Sequence, residues 1–333
     1  MYVVTTQQMQ AAERAADTAG LTYEQMMENA GKKVAEAIEA SYHIAGSKIL
    51  ILVGPGNNGG DGLVVARHLA RGGATVTVYV WKRNVEDDPN WRLLDNMAVE
   101  RLFWEEDSNR IRLNQLLKET AVIVDALLGT GVSRPIEGSL AEFLEQIKTT
   151  VAARRTSQPA SLIEAAHPEP PGEPGPAIIA LDVPSGLNSD TGAVDPYTLV
   201  AELTVTLAAA KRGHFVPPAP EVVGELMIGD IGITVDHYPN EKMPELVMGS
   251  EIRALLPNRP PTAHKGTFGT ALLVAGCANY TGAAMLAGQA AIRIGTGLVT
   301  MGVPRTIFPI VASRLLEATY LPLPDSDGQL VAE

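Results

Sequence analysis

The sequence predicts an α/β fold in which a doubly wound, mostly parallel sheet carries helices on both faces. Short apolar runs bounded by glycine alternate with segments of helical spacing, which is typical of buried parallel strands joined by crossover helices. With 333 residues, of which 46% are hydrophobic, the chain is long enough for one large or two medium domains. The predicted strands are 48–54, 74–81, 121–125, 177–182 and 201–207.

The segments between these strands carry the helical spacing. We predict helices at 7–19, 23–42, 63–71 and 139–148, a glycine-rich loop at 54–62, and two polar helices between 82 and 120. The segment 151–176 contains six prolines and no aromatic residue. We interpret it as a flexible surface insertion between a helix and a strand.

The alternation stops in a segment where prolines and charged residues replace it. A new αβ unit follows, with predicted strands at 270–275 and 297–303 around a helix at 282–293. This unit is too short for a sheet domain of ordinary size. The sequence therefore divides into a domain at 1–236, a linker at 237–261 and a partial domain at 262–333.

The composition argues against several classes of protein. A net charge of −12 disfavours nucleic-acid binding, which usually requires a basic face. Cys277 is the only cysteine, so no intrachain disulfide or thiolate cluster can form. The N-terminus lacks the pattern of a secretory signal, and the uncharged stretch 266–292 is too rich in polar residues and glycine for a membrane span. We expect a cytoplasmic protein that binds neither nucleic acid nor membrane.

The loop at 54–62 reads GPGNNGGDG and follows the first predicted strand. In such a turn the backbone can approach a ligand, and the following helix offers unsatisfied N–H groups. The predicted alternation of strands and helices is Rossmann-like, and the glycines of this loop match the dinucleotide-binding pattern G-x-G-x-x-G, although that match alone is weak. That pattern also requires an acid at the end of the next strand, where Trp81, Lys82 and Arg83 stand here. An NADP-type basic site and a tight turn without ligand therefore both stay open.

Two further polar loops follow strands at the same carboxyl edge of the sheet, DALLGTG at 125–131 and DVPSG at 182–186. Ligands of open α/β sheets collect at this edge. Asn58, Asp125 and Ser185 together supply an amide oxygen, a carboxylate and a hydroxyl. This all-oxygen set suits an alkali or alkaline-earth cation rather than zinc. Taken alone, Asp125 could equally cap its own loop.

In this order, GPGNNGGDG, DALLGTG and DVPSGL closely resemble the motifs of the NAD(P)H-hydrate epimerase family. The resemblance covers roughly residues 5–235, apart from the insertion. It implies an enzyme that interconverts the R and S forms of NADHX and NADPHX, which are NADH and NADPH hydrated at carbon 6 of the nicotinamide. It also implies one bound potassium ion, held by Asn58, Asp125 and Ser185.

The resemblance further implies which residues meet the substrate. Segment 57–61 would contact the dinucleotide, backbone N–H groups of 129–135 would bind its phosphates, and Asp182 would face the hydrated ring. The implied contacts are Asn57, Asn58, Gly59, Gly60, Asp61, Gly129, Thr130, Gly131, Val132, Ser133, Arg134, Pro135 and Asp182. Because epimerisation breaks and re-forms the bond between C6 and oxygen, a carboxylate that shuttles a proton is the natural catalyst. We assign that role to Asp182 as a hypothesis.

Two later residues are harder to assign. Lys211 lies in TLAAAKRGH, which also matches a segment of the family. The sequence leaves two interpretations of it open, a lysine near the site and a surface lysine. We expect His214 to be structural rather than catalytic.

The partial second domain resembles the start of the ADP- or ATP-dependent NAD(P)H-hydrate dehydratases, which have a ribokinase-like fold and are commonly fused behind the epimerase. HKGTFG at 264–269 and YTGAA at 280–284 carry this resemblance. Ala284 matches a substrate contact of that family, although an ordinary helix core explains this stretch more simply. The later nucleotide-binding segments have no counterpart before Glu333, so ADP or ATP would serve only a complete domain.

Two alternatives come from other classes of protein. One is an NADP-dependent Rossmann oxidoreductase, against which the missing ribose-binding acid counts. The other is a non-catalytic protein-binding module of the same fold, which would need none of Asn58, Asp125, Asp182 and Ser185. Apolar N-terminal helices are compatible with a homodimer or a larger homo-oligomer.

We expect these 333 residues to show no ADP- or ATP-dependent dehydration of S-NADHX, because they lack counterparts of the later dehydratase segments. The measurement is the absorbance of NADH after S-NADHX and either nucleotide are added. A dehydratase with its whole nucleotide site serves as the positive control. Nucleotide-dependent NADH formation by this chain would overturn the expectation.

Overall fold

The computed structural model describes residues 1–131, 134–156 and 175–331. Contacts within the chain divide it into two compact units, Met1–Met248 and Gly249–Glu333. The division falls inside the segment that the sequence predicts as a linker. Each unit has its own sheet and its own hydrophobic core.

The first unit alternates strands and helices along most of its length. Its strands are β1 (Val3–Val4), β2 (Lys48–Val53), β3 (Thr75–Val80), β4 (Val99–Phe103), β5 (Val122–Ala126), β6 (Ala177–Leu181), β7 (Leu203–Leu207), β8 (Ala210–Lys211) and β9 (Glu225–Gly229). Its helices are α1 (Thr6–Thr18), α2 (Tyr23–Ser41), α3 (Asn57–Arg71), α4 (Pro89–Arg92), α5 (Ile111–Glu119), α6 (Ser139–Thr156) and α7 (Pro220–Val223).

A parallel sheet in the order β4-β3-β2-β5-β6-β7-β9 forms the centre of this unit. Every neighbouring pair of its strands is parallel. In β2, for example, Ile51 lies opposite Val78 of β3 and Val124 of β5. The doubly wound, Rossmann-like α/β fold that the sequence predicts is confirmed.

Alternate residues of β2 face two separate cores, which is why helices cover both sides of the sheet. Ile49, Ile51 and Val53 join the core that α2 and α3 complete. Leu50 and Leu52 join the core that α5 and α6 complete. All five are at most 1% exposed. Burying one such side chain contributes about 1.5–3 kcal/mol, so β2 anchors both layers of helices.

Helix α3 begins earlier than the sequence predicts. It starts at Asn57, so only the first three residues of the predicted loop 54–62 form the turn. Gly56 is the N-cap, and no side chain caps the helix there. Glycine has a low helix propensity. The first turn of α3 nevertheless needs it, because this turn packs closely on the preceding residues: a Cβ on Gly59 would lie 2.0 Å from the Gly54 oxygen.

The prediction of two polar helices between 82 and 120 is wrong for the first of them. In place of the first helix, the chain forms the single turn α4 and then β4 at the edge of the sheet. Charged residues hide the strand in the sequence: Glu100 pairs with Arg112, and Arg101 pairs with Asp95. Such charges are typical of edge strands, where they discourage pairing with another chain.

Other predicted boundaries also shift. Helix α6 extends to Thr156, so the segment interpreted as an insertion begins within a helix. Positions 157–174 of that segment lie outside the described residues. Strand β9 is absent from the sequence-based prediction, as is the parallel pair β1 and β8, in which Val4 lies opposite Lys211. This pair ties the N-terminal segment to the end of β7.

The second unit is a smaller αβ arrangement. Its strands are β10 (Thr270–Val274), β11 (Leu298–Pro304), β12 (Thr319–Leu323), β13 (Asp325–Ser326) and β14 (Gln329–Leu330), and its helices are α8 (Gly249–Leu255), α9 (Thr281–Ile294) and α10 (Phe308–Ala312). β10, β11 and β12 form a parallel sheet, on which α9 and α10 pack around Met301 and Val311. The sequence did not predict β12. Among the helices of the described residues, none has the length and apolar character needed to cross a membrane.

Candidate functional site

The carboxyl ends of β2, β5 and β6 lie side by side, because these strands are neighbours in the sheet. Ser185 N and Oγ donate to the two carboxylate oxygens of Asp125, at 2.8 and 2.6 Å. Leu128 N donates to Ser185 Oγ at 2.9 Å, and Asn58 Nδ2 donates to the Leu128 oxygen at 2.9 Å. The structure therefore brings together the three residues that the sequence suggests as cation ligands.

Asp125 is fully buried at this edge. Burial raises the pKa of its carboxyl, although hydrogen bonds from Ser185 and Leu127 act in the opposite direction. No cationic side chain of the described residues contributes to that balance. Burying a carboxylate without a counter-charge costs folding free energy, and a cation beside Asp125 would reduce that cost.

The surroundings of Asp125 fit a cation of low charge. Asn58 and Ser185 offer neutral side-chain oxygens, and Gly129 leaves room beside Asn58, since a Cβ there would lie 3.3 Å from the Asn58 Cβ. Nowhere in the described part of the chain do three or more His, Cys, Asp or Glu converge as metal ligands. This donor set suits an alkali ion better than a transition metal.

Asp182 opens the loop after β6 with a φ of +66°, a conformation that Asp and Asn tolerate better than most residues. Its Oδ1 accepts hydrogen bonds from Thr206 Oγ1 at 3.0 Å, from Leu207 N at 3.2 Å, and from Lys211 Nζ. Burial alone would raise the pKa of Asp182, but the charge and hydrogen bond of Lys211 outweigh burial and hold the pKa below its ordinary value. Asp182 is therefore ionised at neutral pH. Its Oδ2 takes part in none of these bonds.

Lys211 is the residue that keeps Asp182 ionised. Its side chain is only 1% exposed. Its Nζ also donates to Thr206 Oγ1 and to the Leu207 oxygen, both at 2.9 Å. The interpretation of Lys211 as a surface lysine is wrong, because the pairing of β8 with β1 and the turn after β7 bury it against Asp182.

His214 closes the turn that follows Lys211. It is buried, and its Nδ1 accepts a hydrogen bond from Lys211 N at 3.2 Å. Burial and the nearby charge of Lys211 lower the pKa of His214 to about 4, so its ring is neutral at neutral pH. These contacts agree with the structural role expected for it.

Glu13 and Asp61 lie near enough to Asp182 for the charges of the three carboxyls to act on one another. The sequence suggested Asp61 as a substrate contact, but it gave no sign of Glu13. Asp61, on the first turns of α3, is 8% exposed. Burial, followed by the charges of Asp182 and Glu13, raises the pKa of Asp61 well above its ordinary value. Burial also raises the pKa of Glu13, although Lys211 opposes this. The pattern of α1 shows only an amphipathic helix, so no signal in the sequence linked Glu13 to this edge.

Arg83 stands after β3, where a dinucleotide-binding pattern would place its acid. Its Nη1 donates to the oxygens of Gly54 and Gly56 at 3.1 and 2.7 Å, and its Nε donates to Asp88 at 2.7 Å. The side chain is 12% exposed. Arg83 therefore braces the glycine turn, which disfavours its use as the basic group of an NADP-type site.

The other residues suggested as substrate contacts fall in different places. Those on the first turn of α3 or just after β5 are Asn57, Gly59, Gly60, Gly129, Thr130 and Gly131. Arg134 and Pro135 are exposed, and Val132 and Ser133 lie outside the described residues. Ala284 lies on α9 of the second unit, where it is fully buried in the core.

These features define an α/β protein with a Rossmann-like sheet and a polar, buried site at its carboxyl edge. A sequence profile of the family described as YjeF-related protein N-terminus matches residues 23–213, and the chain belongs to that family. A second profile, described as NAD(P)H-hydrate dehydratase, matches residues 271–331. The first match lies in the first unit and the second match in the second unit.

Curated relatives from three organisms carry the name bifunctional NAD(P)H-hydrate repair enzyme Nnr. Those of Moorella thermoacetica and Salinibacter ruber are both 34% identical to this chain, over 98% and 99% of it and 58% and 60% of their own lengths. The Thermofilum pendens relative is 32% identical over 96% of the chain and 56% of its own length. The chain thus spans somewhat more than half of these relatives.

One solved structure supports the fold. The crystal structure of yeast ynu0, YNL200c, matches 64% of this chain and 83% of its own, with a TM-score of 0.52 and 24% sequence identity. At this identity the similarity concerns the fold alone.

Replacing Lys211 with methionine should lower the free energy of unfolding at neutral pH by about 3–5 kcal/mol, because it leaves a buried carboxylate without its partner. Lys48→Met is the matched control, since Lys48 pairs with Glu119 at 2.6 Å while 53% exposed. Such surface pairs contribute about 0–1 kcal/mol. Urea denaturation measures both variants, and equal losses would contradict the role given to Lys211.

The same pair has a definite pH dependence. Because the folded protein lowers the pKa of Asp182, the stabilisation is present at neutral pH and is lost as the pH falls below about 4, the ordinary value for aspartate. Lys211→Met should therefore show a smaller loss of stability on acidification than the wild type.

Proposed function

We propose that the chain is an NAD(P)H-hydrate epimerase, which interconverts the R and S forms of NADHX and NADPHX. The observation that carries the proposal is the meeting of three polar loops at one sheet edge, where the Asp182 carboxylate stands near the oxygen-rich cluster around Asp125. Membership of the family and the names of the relatives support it.

Epimerisation at C6 requires the bond to the hydroxyl oxygen to break and to form again on the other face of the ring. Asp182 is suited to this task, because Lys211, Thr206 and Leu207 fix its Oδ1 and leave Oδ2 to exchange a proton with the substrate oxygen. We therefore propose Asp182 as a catalytic residue that shuttles a proton.

The rest of the edge would hold the dinucleotide and a potassium ion. The N-terminus of α3 and the start of the loop after β5, with Gly129, Thr130 and Gly131, suit anionic phosphates, since both can offer backbone N–H donors. Asn58, Asp125 and Ser185 would hold potassium, whose charge would offset the buried carboxylate of Asp125. The contact suggested for Ala284 would concern the second unit.

The alternatives explain less of the structure. Arg83 is engaged with the glycine turn and Asp88, which disfavours an NADP-dependent oxidoreductase. A protein-binding scaffold gains nothing from a buried ion pair such as Asp182 and Lys211, which is costly to desolvate. The lack of dehydratase activity, the cytoplasmic location and a homo-oligomeric state stay predictions.

A coupled assay tests the proposal. R-NADHX is mixed with a separate dehydratase specific for S-NADHX and its nucleotide, and the formation of NADH is followed. The wild-type chain should allow the whole pool to be consumed faster than spontaneous epimerisation permits. No acceleration would refute the epimerase.

In the same assay, Asp182→Asn should lower kcat by about 100-fold or more with little change in KM, because the amide keeps the shape but cannot shuttle a proton. Asp95→Asn, which changes an exposed acid that pairs with Arg101, should leave turnover unchanged. Normal turnover by Asp182→Asn would show that another residue performs the step.

Potassium should raise the thermal stability of the wild type more than an equal concentration of choline chloride, because a cation that binds only the folded state stabilises it by mass action. Asp125→Asn should remove this difference, and Asp95→Asn should retain it. Thermal unfolding in the two salts is the measurement. A potassium-specific shift that persists in Asp125→Asn would place the ion elsewhere.

A further inference from the structure

Asp182 accounts for only half of the proton transfer that the proposed reaction needs. The C6 hydroxyl leaves readily only as water, which requires a proton donor. Lys211 holds Asp182 as a carboxylate, and Thr206 and Leu207 add further hydrogen bonds to the same oxygen. At neutral pH Asp182 therefore starts the reaction as an acceptor, and the donor has to be another group.

Asp61 is a neighbouring carboxyl that lacks a partner of this kind among the described residues. It is buried on α3, and none of the hydrogen bonds or ion pairs found among the described residues involves its carboxyl. The charged groups that act on it are Asp182, Glu13, Arg83 and Lys211. Burial is the largest effect and raises the pKa of Asp61, both carboxylates add to it, and the two cations offset it only in part. Burial without a hydrogen bond or an ion pair therefore favours the protonated, neutral form of the Asp61 carboxyl.

The two carboxyls belong to different elements, Asp61 to helix α3 and Asp182 to the loop after β6. Asp61 follows β2 and Asp182 follows β6, and β5 lies between these strands. Asp61 lies three residues after Asn58 on α3, so the two side chains share a face of that helix. Asn58 contacts the loop after β5, so this face of α3 lies towards the edge at which Asp182 opens the loop after β6. C6 of the substrate bears a hydroxyl and the ring nitrogen, whose lone pair can assist the departure of the hydroxyl. The ring oxygen plays the same part at the sugar carbon that glycosidases attack with one neutral and one ionised carboxyl.

We propose that Asp61 is a second catalytic residue, which donates a proton to the C6 hydroxyl while Asp182 accepts a proton from the returning water. This inference rests on the proposed epimerase function and specifies its chemistry. It gives Asp61 a role beyond that of a substrate contact.

The steps balance without a further reactant. Asp61 transfers its proton to the C6 oxygen, the bond between C6 and oxygen breaks, and water leaves with the bonding electrons. The lone pair of ring N1 then forms a double bond to C6. Water adds to C6 from the other face, the N1–C6 pair returns to nitrogen, and Asp182 takes the proton that the water loses. Proton exchange with solvent restores Asp61, and the reverse reaction exchanges the two roles.

Asp61→Asn tests the proposal in the coupled assay with R-NADPHX. We expect kcat to fall by about 100- to 10,000-fold, the usual range for the loss of a general acid, with KM within a few-fold. Asp95→Asn is again the control. The wild-type kcat/KM should fall as the pH rises, because Asp61 has to be protonated, and the residual activity of Asp61→Asn should lack this decline.

The outcomes separate this proposal from the function on which it rests. A wild type without epimerase activity refutes the function itself. An active wild type beside an Asp61→Asn variant within tenfold of it, or one that keeps the alkaline decline, refutes only the role of Asp61. If Asp61→Asn does not fold, the wild-type profile from about pH 5 to about pH 9 decides, because a flat profile rules out an essential acid.

Discussion

The charge of Lys211 has to be neutralised inside the protein, and this requirement organises half of the site. Its three N–H groups go to Asp182, to Thr206 and to the Leu207 oxygen, so the ends of β6, β7 and β8 are held to one point. The pairing of β1 with β8 brings the N-terminal segment to the same place. Removing any of these acceptors would leave a buried cation undersatisfied, which explains why so many elements converge on one lysine.

The same edge uses two different means to bury carboxylates. Asp182 has a lysine in contact and is ionised, whereas Asp125 relies on N–H and O–H donors and lacks a cationic side chain among the described residues. Asp61 has neither among the described residues, and burial raises the pKa of its carboxyl. Of these three carboxyls Lys211 contacts Asp182, so Asp182 is the one whose charged form a lysine stabilises directly.

Much of the framework could be predicted from the sequence. The continuous apolar run of β2 and the glycine-bounded strands that follow it are unambiguous, and their order placed Asn58, Asp125 and Ser185 at one edge. The sequence could not show where α3 begins, because packing against Gly54 overrides the weak helix propensity of glycine. Nor could it reveal β4, whose charged residues serve an edge strand.

The burial and the protonation states of the charged residues were harder to predict from the sequence. Burial of Lys211 depends on a two-residue strand pairing with residues more than 200 positions away, and no local pattern encodes such a contact. Glu13 lies on a helix whose spacing shows only one apolar face. Protonation states arise from several elements together, so they become readable only once those elements are assembled.

The N-terminus of α3 lacks a side-chain cap. With Gly56 as N-cap, the first amide groups of this helix have no side-chain acceptor, and its positive dipole end stays unquenched. Arg83 donates to the carbonyl oxygens of Gly54 and Gly56, which holds the preceding turn in place. An incoming anion would thus act as the missing cap, so that docking of ligand and completion of the helix become a single event.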